Sequence, residues 1–176
     1  MIINTSSATG QPSKRDPGYT IREPQKVVTD FTVKNDVQAA EALNLISNDQ
    51  IADLKDFLKE YDMTYITNME LKEVGSKLFD AGLISDQAFS VFIQGTRAVD
   101  ENGHQADLNV KFNAIALFDQ RLEEQTAWLP TFSAKTKQEP LFVPWREGMI
   151  IANRAINALA YFANSSGKNF TIDKRA

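Results

Sequence analysis

The sequence predicts an all-α fold: one helical-bundle domain of about five or six helices, residues 35–176, behind a flexible or extended N-terminal arm, residues 1–34. Three observations predict it. Apolar residues recur at three- and four-residue spacing through most of residues 36–164, the pattern of helices with one buried stripe. Asn35, Ser47, Thr67 and Ser85 stand just before four such stretches, where a side-chain oxygen can accept from the free N–H groups of a first turn. Gly82 and Pro130 stand where two of the stretches end.

The arm comes first. "SSATGQPSKRDPG" is rich in small and polar residues, and Pro12, Pro17 and Pro24 discourage a helix. "KVVTDFTV" then places Val27, Thr29, Phe31 and Val33 on one side of an extended chain, a short strand signal. "NFTID", Asn169 to Asp173, has the same look. The two segments could pair as a short terminal β ribbon that ties the chain ends together.

The helices follow in order. The first covers about 36–46, capped by Asn35. "SNDQ", Ser47 to Gln50, has capping-box spacing and opens a helix with Ile51, Leu54, Leu58 and Tyr61 on one stripe. "TNME", Thr67 to Glu70, is a second capping box, before Leu71, Val74, Leu78 and Ala81. Gly82 suits the left-handed residue after a helix, and Leu83 the apolar contact beyond it. Ser85 caps a fourth helix bearing Phe89, Phe92 and Ile93. After the turn "DENG", Asp100 to Gly103, a long helix is expected over about 105–128, with Leu108, Phe112, Ile115, Phe118, Leu122 and Leu129 on its stripe. Pro130 ends it, and residues 130–144 form a proline-rich loop. The last helix, about 145–164, carries Met149, Ile150, Ala152, Ile156, Leu159 and Phe162 and is apolar enough to be central.

Composition bounds the function. A hydrophobic fraction of 43% with 24% charged residues suits a packed core rather than general disorder. The chain has no cysteine, which excludes disulfides, thiolate nucleophiles and Cys-based zinc sites. No run of about 18 apolar residues is present, so no membrane span is expected. "MIINTSSATGQPSKRDPG" lacks the basic start and apolar stretch of a secretory signal. The expected location is cytoplasmic, with signal-independent export left open. The net charge of −4 divides into +2 for residues 1–35, −10 for 36–129 and +4 for 130–176. Basic ends and an acidic middle can attract one another within a chain or between chains. The acidic middle argues against nucleic acid.

The segment Tyr61–Phe89 could hold two kinds of site. "ITNMEL" has the spacing of the end of a calcium loop, but that loop would take Lys59, Tyr61 and Met63 as ligands and Thr64 where glycine is needed. No calcium is expected there. The Gly82–Ser85 turn also fits a helix-turn-helix, yet the second helix opens on Asp86, offers only Gln87 to a base, and has no basic residue before Arg97.

Other chemistry is sparse. His104 is the one histidine, and Glu101, His104 and Asp107 read as a solvated turn rather than a metal site. No G-x-S-x-G elbow and no Gly-rich phosphate loop occurs. Glu123 and Glu124 are helix neighbours that point apart. No catalytic, cofactor-binding or metal-ligating residue is therefore assigned, and no cofactor. The aromatic residues are more suggestive. Trp128 and Trp145 flank the proline loop, and Phe132 and Phe142 lie within it. These four are the candidate partner contacts, since aromatic residues concentrate at interface centres.

"MELKEVGSKLFDAGLISDQAFSVF", Met69 to Phe92, resembles a helix-Gly-helix segment in small helical proteins encoded among bacterial flagellar and related secretion genes. The Ser/Thr-rich, cysteine-free N-terminus looks like the leaders of such export substrates. The resemblance implies a bacterial accessory or interaction protein and assigns no functional residue. The expected function is a non-catalytic protein-interaction or assembly-accessory module, acting on another protein or on a second copy of itself. The alternatives are a small-ligand binder or enzyme with an inter-helix pocket, for which Arg121, Arg146 and Arg154 are the spare cations, and a helix-turn-helix DNA binder.

Overall fold

A computed structural model describes residues 15–166. Its axis is the last helix, α7, Phe142–Ser166, which packs against α1 (Asp36–Ala42), α2 (Asn48–Phe57), α4 (Asp86–Gln94) and α5 (Ala114–Trp128). A further helix, α3 (Asn68–Asp80), packs on α4, and a single-turn α6 (Ala134–Lys137) leads into α7. The described residues thus form one all-α domain of seven helices with no β sheet.

Small residues let these helices approach. Ala152, Ala155 and Ala158 of α7 are fully buried, alongside Ile156, Leu159 and Phe162. A Cβ at Gly148 would stand 2.4 Å from Gln87 Cβ, so this glycine is where α4 lies closest on α7. A Cβ at Gly75 would stand 2.5 Å from Phe92 Cβ, so the α3–α4 pair closes over a glycine. Phe92 then reaches Phe118 of α5 edge to face, 5.1 Å between ring centroids.

The helix starts lie where the sequence puts them. Asn35, Ser47, Thr67 and Ser85 each accept from the backbone N–H three residues on. Thr67 and Glu70 close a full capping box, so "ITNMEL" is the entrance of a helix. After α3, Gly82 adopts φ +70°, and the Leu83 N–H donates to Leu78 O at 2.9 Å. This is the left-handed stop that satisfies a helix's last carbonyls.

Three segments depart from expectation. The helix expected over 105–128 begins only at Ala114, capped by Asn113. Residues 105–113 instead make isolated bridges, Val99 with Gln105 and Ile66 with Phe112, and Asp107 takes a left-handed φ of 53°. Leu108 matched the helical stripe by spacing alone and is 37% exposed. The proline loop is shorter than expected because α7 begins at Phe142; Pro144 falls in its first turn, where no N–H is needed. Val27–Val33 forms no strand: a turn at Asp30–Phe31 interrupts it, with the Thr29 and Phe31 N–H groups donating to Thr32 Oγ1 and Thr29 Oγ1. Its expected ribbon partner, Asn169–Asp173, lies outside the described residues.

The described part of the arm lies along α5, with a turn at residues 23–26 where the Lys26 N–H donates to Glu23 O at 2.9 Å. Tyr19 and Ile21 pack against the core. Lys26 pairs with Asp119 and Glu123, whose hydrogen bonds hold its ammonium above the usual lysine range. The basic start of the chain and its acidic middle therefore meet within one molecule.

Glu70 links the α3 cap to the α4–α5 connection. It accepts from the Thr67 N–H at 2.8 Å, and Lys111 Nζ donates to its two oxygens at 2.8 and 2.7 Å. Burial pushes this carboxyl up, but Lys111 and Thr67 outweigh it and hold the pKa below the usual glutamate value. The bound ionised form therefore contributes stability above the unfolded-state pKa, and that contribution is lost as pH falls through the folded one. Glu70→Gln can still cap but cannot ionise. It is expected to lower stability at neutral pH by about 0.5–1 kcal/mol, the scale of a partly exposed pair, and to flatten the loss below about pH 5. Urea midpoints across that range check this; parallel native and variant curves would refute it.

Candidate functional site

Helix α5 ends at Trp128, and a 3-10 turn, Leu129–Thr131, carries the chain outward. Pro130 denies the helix its next N–H, and Thr131 Oγ1 donates to Trp128 O at 2.7 Å. Ser133 then caps α6 through the Thr136 N–H, and the Phe142 N–H donates to Glu139 O at 3.0 Å as α7 starts. Buried Gln125 ties the two long helices at this end, its Nε2 donating to Trp145 O at 3.4 Å.

This reversal brings three of the four predicted contact residues together. Phe132 meets Phe142 at 5.5 Å and Trp145 at 6.1 Å, both edge to face, and Phe142 meets Trp145 at 5.9 Å. Such pairs hold one another's orientation. Trp128 does not join the trio; it stands 62% exposed on the last turn of α5. Trp145 is 42% exposed although its ring is packed on one side.

Two members of this corner escaped sequence reasoning. Leu141 is 76% exposed and Val143 is 53% exposed, on either side of the half-buried Phe142. A signal existed: "LFV" between Pro140 and Pro144 places three large apolar residues in a row at a helix start, and one helix face cannot bury all three. Lys135, Lys137 and Arg146 are exposed on the same connection and first turn of α7. Elsewhere Val37 and Ile46 are exposed singly, which is ordinary for a protein surface, while Tyr65, Met69, Leu108 and Val110 are exposed around the α3 entrance, where the Met69 N–H donates to Leu108 O.

The other candidates do not assemble chemistry. Asp100 accepts from the N–H groups of Asn102 and His104 and so builds a turn, while the His104 side chain is 80% exposed. Among the described residues no group of three His, Asp or Glu side chains could hold a metal ion. A surface groove of about 680 Å³ beside the arm is lined by Tyr19, Gln94, Arg97 and Gln105 among others. Two of its polar groups are already committed: Gln94 Oε1 accepts from Arg121, and Gln105 Nε2 donates to Ile93 O. Arg121 is buried, whereas Arg146 and Arg154 are exposed on α7, eight residues and roughly 12 Å apart along the axis. The three arginines form no common cluster. Gln87, the base-reading candidate, is half-buried with its Cβ directed at Gly148 of α7.

Among the described residues no helix is long and apolar enough to cross a membrane. Comparison with protein-family models, curated proteins and solved structures finds no significant match to this chain.

Proposed function

We propose that this chain is a non-catalytic interaction module that docks another protein on the aromatic corner between α5 and α7. The observation that carries this is the exposure of Trp128, Leu141, Val143 and Trp145 around the ordered Phe132–Phe142–Trp145 trio. Rigid aromatic side chains with exposed apolar neighbours make the centre of an interface at little ordering cost. The resemblance of Met69–Phe92 suggests a bacterial flagellar or secretion assembly as the setting. The packing of Gln87 against α7 speaks against base reading by α4.

Both tryptophans of the chain stand at this corner, so intrinsic fluorescence reports on it. Docking is expected to shift their emission to the blue. Trp128→Ala combined with Leu141→Asp alters only exposed side chains and should leave the urea midpoint nearly unchanged. It is expected to weaken retention of a co-purifying partner by about 30-fold or more, the effect of losing a hot spot of ~2 kcal/mol. The same bound proteins at the same level on native and variant chains would defeat the proposal.

A further inference from the structure

The arm is held through its backbone by side-chain amides of α5 and its cap, and by the side chains of Arg22 and Lys26. Gln120 Oε1 accepts from the Arg22 N–H at 2.8 Å, and its Nε2 donates to Thr20 O at 3.2 Å. Asn113 Nδ2 donates to Pro24 O at 2.9 Å and to Lys26 O at 3.0 Å. Gln120 thus pairs with an extended stretch at residues 20–22, and a turn closed by the Lys26 N–H on Glu23 O at 2.9 Å brings Pro24 O and Lys26 O together on Asn113. Upstream, Asp16 and Val99 exchange both backbone hydrogen bonds, at 3.1 and 2.9 Å, and the Tyr19 N–H donates to Thr96 O at 2.8 Å. Arg22 and Lys26 reach Glu123 at 3.2 and 3.0 Å. Lys26 also pairs with buried Asp119 at 2.5 Å; the pairs with Glu123 are partly exposed and contribute little each, and of residues 15–29 only Tyr19 and Ile21 pack apolar side chains on the core. Segments attached by few buried apolar contacts open at low cost.

Between this docked stretch and the Thr29–Thr32 turn lie Val27 and Val28, 48% and 70% exposed. Neither backbone makes a hydrogen bond to another described residue. They belong to "KVVTDFTV", whose strand signal the folded chain leaves unused. We infer that the α5 groove accepts the arm of a second copy, and that Val27 and Val28 are the hinge. In a reciprocal exchange every amide and ion-pair contact is remade across the dimer. The two hinges then run antiparallel about the two-fold axis, where β-branched residues with free N–H and C=O groups can pair. The second copy is the occupant because its arm carries the same extended stretch, the same turn and the same Arg22 and Lys26 that this groove already fits. The inference is independent of the aromatic corner.

The chain has no cysteine, so an engineered pair reports the arm without background. Residues that exchange both hydrogen bonds stand about 5.5 Å apart at Cα, within disulfide reach. Full-length protein carrying Asp16→Cys with Val99→Cys is held reduced at about 10 μM and at about 1 mM, the latter matching the effective concentration of a tethered segment. It is then diluted, oxidised at once and resolved without reductant. The expected result is a covalent dimer joined from position 16 of one copy to position 99 of the other, its fraction several-fold higher after the concentrated incubation. Only intramolecular bonds at both concentrations would overturn the inference, as would dimers joined through like positions. Arg15→Cys with Asp107→Cys, whose native side chains pair across the same dock, joined by a short bis-maleimide in place of oxidation, gives the same readout should the first pair fold poorly. In either background Val28→Lys should lower the dimer fraction, because paired hinges bring like charges together; an unchanged fraction would overturn the hinge assignment.

Discussion

Phe118→Ala is expected to lower the unfolding free energy by about 3–5 kcal/mol, the range for truncating a fully buried phenylalanine. Phe118 has no exposed surface and lies in the core shared by α4, α5 and α7. Its ring packs at 85° against Phe92, itself fully buried, and its carbonyl accepts from Asn153 Nδ2 at 3.0 Å. The surrounding helices are pinned by close contacts at Gly75 and Gly148, so they cannot collapse into the space left behind. The residual cavity then adds to the lost transfer energy. Urea unfolding should show a lower midpoint with an unchanged slope. The Phe92→Ala and Phe118→Ala pair should couple by about 0.5–1.5 kcal/mol in a double-mutant cycle. Phe89→Ala is the control: Phe89 is only half-buried, stacked on Phe79 at 4.7 Å, and should lose clearly less. Equal losses at positions 89 and 118 would mean that the core is centred elsewhere.

The parts of this fold legible in the sequence are those governed by local chemistry. A cap needs one oxygen three residues before a free N–H, and Asn35, Ser47, Thr67 and Ser85 announce four helix starts in that way. Gly82 announces a stop because little else takes φ +70° at low strain. The illegible parts depend on residues far apart in the chain. Nothing near Leu108 says that Phe112 will spend its backbone on Ile66 rather than on a helix turn. The start of α7 was hidden because Pro144 reads as a breaker, although a first turn tolerates it. At the aromatic corner, composition exposed the four rings as candidates, but only the reversal through α6 decides that three of them touch and Trp128 stands outward. The docked arm was the least visible feature. Gln120 and Asn113 carry no motif, and what they bind is backbone, which is the same in every sequence.

Arg121 shows how a residue legible as a spare charge becomes structural once its neighbours are known. The sequence offers it as a spare cation for an inter-helix pocket; the fold buries it to 5% exposure beneath the end of α4. Its guanidinium donates to Gly95 O at 3.3 Å, an acceptor that the end of the helix leaves unpaired, to Gln94 Oε1 at 2.9 Å, and to Val91 O at 3.4 Å, which also accepts from the Gly95 N–H. It also lies under the Tyr19 ring of the arm at 5.4 Å. Burial pushes its pKa down to about 10, so it remains charged at neutral pH and its charge offsets the negative end of the α4 dipole. Arg121→Met keeps most of the volume but leaves the carbonyl of buried Gly95 without a donor, while Val91 O keeps the Gly95 N–H and the exposed Gln94 can turn to water. The expected loss is about 1–3 kcal/mol, the cost of one buried acceptor left without a donor. Arg121→Lys keeps the charge but can reach fewer of these acceptors, and should fall between Met and the native residue. Because Tyr19 loses the cation beneath its ring, Arg121→Met should also speed limited proteolysis on the arm between residues 15 and 26 at denaturant-free conditions, well before the domain itself is cut. A ligand-binding arginine would behave in the opposite way: its removal from an empty site would leave stability unchanged or raised, since function-bearing charges are held at a cost to the fold.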